Sequence, residues 1–119
     1  MKDVFRYSFP DIPLYKFVYD ENTKMIEMYF EQFCDGDILE NNCCVFVVKN
    51  WKCVEAKELE KDNKSYDYFL KHVGVPDLIF DIVLEDENLT IHLCTKDDRF
   101  VSWKFYRAEW ELRKISGCF

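Results

Sequence analysis

The strongest constraint on this chain is an alternation of apolar and polar residues with a period of two, which returns in separate segments. Ile26, Met28 and Phe30 fall on one side of an extended stretch and Glu27, Tyr29 and Glu31 on the other. Leu89, Ile91 and Leu93 alternate with Thr90, His92 and Cys94, and Val101, Trp103 and Phe105 alternate with Ser102, Lys104 and Tyr106. Successive side chains of a strand point to opposite faces, so each such segment has one face to bury and one to leave wet. A chain that repeats this pattern has to build a sheet and cover one side of it.

The connections agree with strands. Tyr15, Phe17 and Tyr19 share a face opposite Lys16, and the turn-forming run Asp20 to Lys24 leads into the Ile26 strand as a hairpin. Leu78, Phe80, Ile82 and Leu84 form a further alternating segment, with Glu85 to Asn88 as the turn before Leu89 and Asp97–Asp98 as the turn before Val101. Cys43 to Val48 is apolar without alternation and rich in β-branched residues, which suits a central strand covered on both faces, bending onward through Trp51 to Val54. Residues 34–42 are polar and acidic, with Gly36 able to take positive φ between two aspartates, and read as an exposed loop. Tyr66, Phe69, Leu70 and Val73 recur at helical spacing; Ser65 stands where an N-cap belongs, Gly74 where the helix would end and Pro76 where it could not continue. The spacing predicts one short helix. The resulting expectation is an α+β fold, a mostly antiparallel sheet of five to seven strands with one short helix packed on it, in a single domain over residues 1–119.

Charge narrows the function. With 23 acidic and 16 basic residues the formal net charge is −7, so nucleic acid is not the expected partner. The acidity is regional. No Lys or Arg occurs between positions 31 and 48, where Glu31, Asp35, Asp37 and Glu40 sum to −4, or between 73 and 95, where Asp77, Asp81, Glu85, Asp86 and Glu87 sum to −5. A field of this kind attracts a basic partner. No secretory signal is visible, the six cysteines include no C-x-x-C, and most are expected to be thiols in a reducing cytoplasm. No apolar run is long enough to span a bilayer, so no membrane association is expected.

Candidate chemistry is sparse. His92 with Asp81 or Glu85 on a neighbouring strand could form an acid/base pair, and Glu27 with Glu31 could pair carboxylates, although a solvent-facing strand has the same pattern. His72 suits the carboxyl end of the expected helix. No nucleophile elbow, phosphate-binding glycine loop or H-E-x-x-H zinc motif occurs. No catalytic residue, metal or cofactor is therefore expected. Exposed Tyr and Trp residues, which anchor protein interfaces, draw attention to Tyr29 and Trp110.

The stretch Tyr19 to Glu31 (Y-D-E-N-T-K-M-I-E-M-Y-F-E), the apolar strand ending in Asn50-Trp51 and the later meander from Leu78 to Phe105 together resemble small bacterial immunity proteins of polymorphic-toxin and contact-dependent growth inhibition systems. The resemblance implies a non-enzymatic cytoplasmic inhibitor that binds a cognate toxin domain, commonly a nuclease, by covering its active site or a nearby surface. It carries no residue-level site. On charge and exposure, Asp35, Asp37 and Glu40 in one acidic stretch, Asp81, Glu85 and Glu87 in the other, and the aromatics Tyr29 and Trp110 are the expected partner-binding residues. The competing expectation is a small-ligand-binding or enzymatic domain with a pocket between sheet and helix, using His92 and Asp81.

Overall fold

A computed structural model describes residues 2–59, 65–68 and 75–115. It is an all-β structure, with no helix among the described residues. Thirteen strands occur there: β1 (Lys2–Val4), β2 (Tyr7–Ser8), β3 (Lys16–Asp20), β4 (Met25–Phe30), β5 (Phe33–Asp35), β6 (Ile38–Glu40), β7 (Cys44–Lys49), β8 (Cys53–Leu59), β9 (Ser65–Tyr68), β10 (Pro76–Glu85), β11 (Asn88–Thr95), β12 (Phe100–Tyr106) and β13 (Glu109–Lys114). They form a six-stranded sheet in the order β1-β10-β11-β12-β8-β9, a four-stranded sheet β13-β7-β4-β3 and a small sheet β2-β5-β6. Every pairing is antiparallel.

The expected α+β class is overturned at its one helix. Ser65–Tyr68 is strand β9, paired with β8 so that Tyr66 lies opposite Glu58 and Tyr68 opposite Ala56. Two turns of helix are marginal in water, whereas a strand placed on the open edge of β8 satisfies a row of backbone donors and acceptors at once. The other helical positions, Phe69, Leu70 and Val73, with His72 and Gly74, lie outside the described residues. The five to seven strands expected are too few, because short strands in the amino-terminal segment (β1, β2), in the acidic stretch read as a loop (β5, β6) and near the carboxyl end (β13) also pair.

The two large sheets pack face to face. Register puts Ile26, Met28 and Phe30 of β4 beside Val48, Phe46 and Cys44 of β7, and all six are buried. Across from them stand Leu89, Ile91 and Leu93 of β11 with Val101, Trp103 and Phe105 of β12, also buried. Phe17 of β3 meets Trp103 of β12 with ring centroids 5.9 Å apart, which joins the sheets directly. Trp51, on the crossing from one sheet to the other, is buried against Phe105.

Strand β7 is buried on both faces, as its unbroken apolar run predicts, from Cys44 through Val48. The outward Val45 and Val47 are buried as well. Their neighbours in register are Tyr29 and Arg113 for Val45, and Glu27 and Glu111 for Val47. Those long side chains pair with one another: Arg113 reaches Glu27 at 4.0 Å and Glu111 at 3.7 Å, Lys49 reaches Glu111 at 3.4 Å, and the Tyr29 hydroxyl donates to Glu27 at 3.3 Å.

Cys34, Cys44, Cys53 and Cys94 are free thiols, whereas Cys43 is disulfide-bonded.

Candidate functional site

The acidic stretch expected to be a loop is a hairpin. Strands β5 and β6 pair Phe33 with Glu40, Cys34 with Leu39 and Asp35 with Ile38, leaving Gly36 and Asp37 as a two-residue turn. Gly36 has φ +62°, a conformation that L side chains resist. Positive φ at the first turn residue alone matches the II′ geometry that follows the twist of paired strands. At the hairpin base, Gln32 donates to Asn41 at 2.7 Å.

An internal clamp fixes this hairpin to the body. Phe5, Tyr7 and Phe9 point inward from the amino-terminal segment; Phe5 packs on Trp110 at 4.8 Å and Phe46 at 5.7 Å, and Phe9 stacks on Phe30 at 3.9 Å. Arg6, between the first two, points outward. Its guanidinium donates to both carboxylate oxygens of Asp35, at 2.6 and 2.7 Å, and its carbonyl accepts from the Gly36 amide at 2.9 Å. The fork-shaped contact holds the Asp35 carboxyl below the usual carboxylate range. Glu40, on the other strand, lies 3.8 Å from Lys114 of β13. Beyond the clamp, Ile38 and Leu39 are 67% and 51% exposed, and Asp37 is exposed beside them. Among the described residues Asp37 makes no ion pair.

The second acidic stretch forms the β10–β11 hairpin. A bulge between Ile79 and Asp81 shifts the register so that Asp81 faces His92, whose Nδ1 is 3.3 Å from the carboxylate. The pair lies on the face of the six-stranded sheet opposite the core, because His92 alternates with the buried Ile91 and Leu93. Beside it is an open depression of about 310 Å³ lined by Val83, Glu85, Asn88, Thr90, His92 and Lys104. The pocket expected between sheet and helix has no counterpart among the described residues, since they contain no helix; this depression sits on an open sheet face. Glu87 is exposed and 3.9 Å from Arg107. Phe80 and Phe100, each 56% exposed, stack 5.8 Å apart on the same sheet.

The eight expected partner-binding residues therefore separate by environment. Asp37, Asp81, Glu85 and Glu87 are exposed in two hairpins, Asp81 beside His92 and Glu87 beside Arg107, while Asp35 and Glu40 are half-buried and paired with Arg6 and Lys114. Tyr29 is half-buried, bonded to Glu27, with the Lys16 ammonium over its ring at 5.0 Å. Trp110 is half-buried and occupied by Phe5, Tyr7 and Phe46, so its role is to seat the segment that carries Arg6. Sequence reasoning passed over Ile38 and Leu39. Two apolar residues between Asp37 and Glu40 in a stretch read as exposed were the available signal. Among the described residues, no group of three or more His, Cys, Asp or Glu side chains could hold a metal, and no helix is long and apolar enough to cross a membrane. No family model, no curated protein and no solved structure matches this chain.

Proposed function

We propose that this chain is a binding protein of the immunity type, which neutralises a cognate toxin domain by docking an acidic surface on its basic one. The observation that carries the reading is the company of the exposed apolar residues: Ile38 and Leu39 stand between Asp37 and Glu40, and Phe80 stands beside Asp81. Apolar anchors set among carboxylates are what a basic protein surface would be recognised by, since opposite charge speeds encounter and apolar burial retains the partner. The resemblance in Tyr19 to Glu31 supports the same reading.

The test is growth rescue. Co-expression of this chain with the carboxyl-terminal toxin domain encoded beside its gene is expected to restore growth; persistent killing with both proteins abundant overturns the reading. The reading also places the protein in the cytoplasm. The disulfide at Cys43 runs against that compartment, because thiols there are kept reduced. Alkylation inside intact cells decides the matter: a Cys43 blocked only after reductant would move the protein to an oxidising site.

The Asp81–His92 contact beside a depression favours a second reading, a small-ligand site on the open sheet face. A His92→Ala variant that still rescues growth leaves only the first.

A further inference from the structure

We propose that the β5–β6 hairpin is the docking element of the inhibitor: its edge strand enters an apolar cleft on a basic protein, with Ile38 against one wall and Leu39, on the opposite face of the strand, against the other, while Asp37 meets a cation at the rim and Asp35 and Glu40 position the hairpin without touching the partner. The inference rests on the reading above and adds to it the surface and the division of labour within it.

Exposure selects the surface. Among the described residues, Ile38 and Leu39 are the large exposed apolar residues that adjoin in sequence, on a strand that forms the outer edge of the small sheet. Packing β5 and β6 does not require them, whereas the same hairpin buries Phe33 in the core. Charge selects the occupant. Residues 31 to 48 carry no Lys or Arg; Arg6 and Lys114 reach the hairpin from outside and offset Asp35 and Glu40, which among the described residues leaves the exposed Glu31 and Asp37 as the uncompensated charge of that stretch. A second copy would bring these carboxylates against their own kind, which is unfavourable; a cationic surface meets no such penalty. Geometry assigns the roles. Both Asp35 oxygens are taken by Arg6, and the Arg6 carbonyl holds the Gly36 amide, so these groups restrain the turn that aims Asp37, Ile38 and Leu39 outward. A hairpin fixed before encounter loses less conformational freedom on binding, which lowers the dissociation constant without adding a contact.

The experiment uses the full chain and the toxin domain that it rescues. Ile38→Ser/Leu39→Ser is expected to weaken binding on the order of 100-fold, with the urea midpoint unchanged. Asp37→Lys is expected to slow association roughly tenfold at low salt and to flatten its salt dependence. Arg6→Asp and Asp35→Arg are each expected to weaken binding, and the double exchange to restore it to within about threefold, since the clamp is rebuilt with its polarity reversed. A contact role for Asp35 predicts the opposite, because the guanidinium introduced on β5 would then face a cation. In the free protein, Arg6→Ala is expected to speed hydrogen exchange at the Gly36 amide, a readout that needs no partner. Unchanged affinity in the Ile38/Leu39 variant, with rescue by the wild type intact, overturns this inference and leaves the inhibitor reading standing. Failure of the double exchange to restore affinity, or unchanged exchange at Gly36, removes the positioning role. Absence of rescue by the wild type removes both.

Discussion

Asp35 shows how one contact changes what a residue is for. As a sequence position it is one carboxylate among four in an acidic stretch, and in the fold it is half of a two-bond clamp with Arg6. Because its folded-state pKa is depressed, its contribution is present above the unfolded value of roughly 3.9 and is lost as pH falls through the lower folded value. Asp97, depressed by the Thr95 hydroxyl and then by Arg99, behaves in the same sense. The urea midpoint is therefore expected to drop on acidification below about pH 4, and Asp35→Asn to flatten that drop; an unaltered profile for the variant would remove Asp35 from the acid response. The thiols separate just as clearly. Burial pushes the Cys44 thiol up to about 12, so little thiolate exists at neutral pH. Alkylation followed by mass spectrometry is expected to label exposed Cys53 first and Cys44 only when the protein unfolds.

Among the elements, the strongly alternating ones were legible. Strands β4, β11 and β12 fall where their patterns place them, and β7 is covered on both faces as its apolar run requires. Strand β13 carried the same signal in miniature, with Trp110 and Leu112 alternating with Glu109, Glu111 and Arg113, but its partner β7 lies far away in sequence. The β5–β6 hairpin was half legible, since Gly36 marked a turn while the three-residue strands around it were too short to show a period. Helical spacing at Tyr66 misled because three or four residues of periodicity weigh less than the open edge of β8. Two substitutions test this level. Gly36→Ala meets no atom within 4 Å, so its penalty is torsional and is expected to be about 1 kcal/mol by urea unfolding. Val47→Ala is expected to cost about 2 kcal/mol although Val47 faces outward, because it is buried between its register neighbours Glu27 and Glu111; a change below about 0.5 kcal/mol would show that face to be wet.

Over the whole molecule, pairings between distant segments join the local hairpins to one another: β12 with β8, β13 with β7, and β1 with β10. Chains that must close such loops before gaining contacts fold slowly, so stopped-flow refolding is expected in roughly the millisecond-to-second range. A microsecond phase that recovers the full tryptophan signal would contradict this topology. The same distant pairings separate what local pattern can determine from what it cannot. Alternation, turn residues and charge runs are properties of neighbours along the chain, and by themselves they determined a sheet-built molecule, its central strand and its two acidic stretches. Which carboxylates are held by Arg6 and Lys114, that Trp110 seats the amino-terminal segment, and that Ile38 and Leu39 are left outside were decided by the tertiary structure alone. Each depends on side chains from separate strands arriving at one place, and register between distant strands is set by burial of the whole face they share.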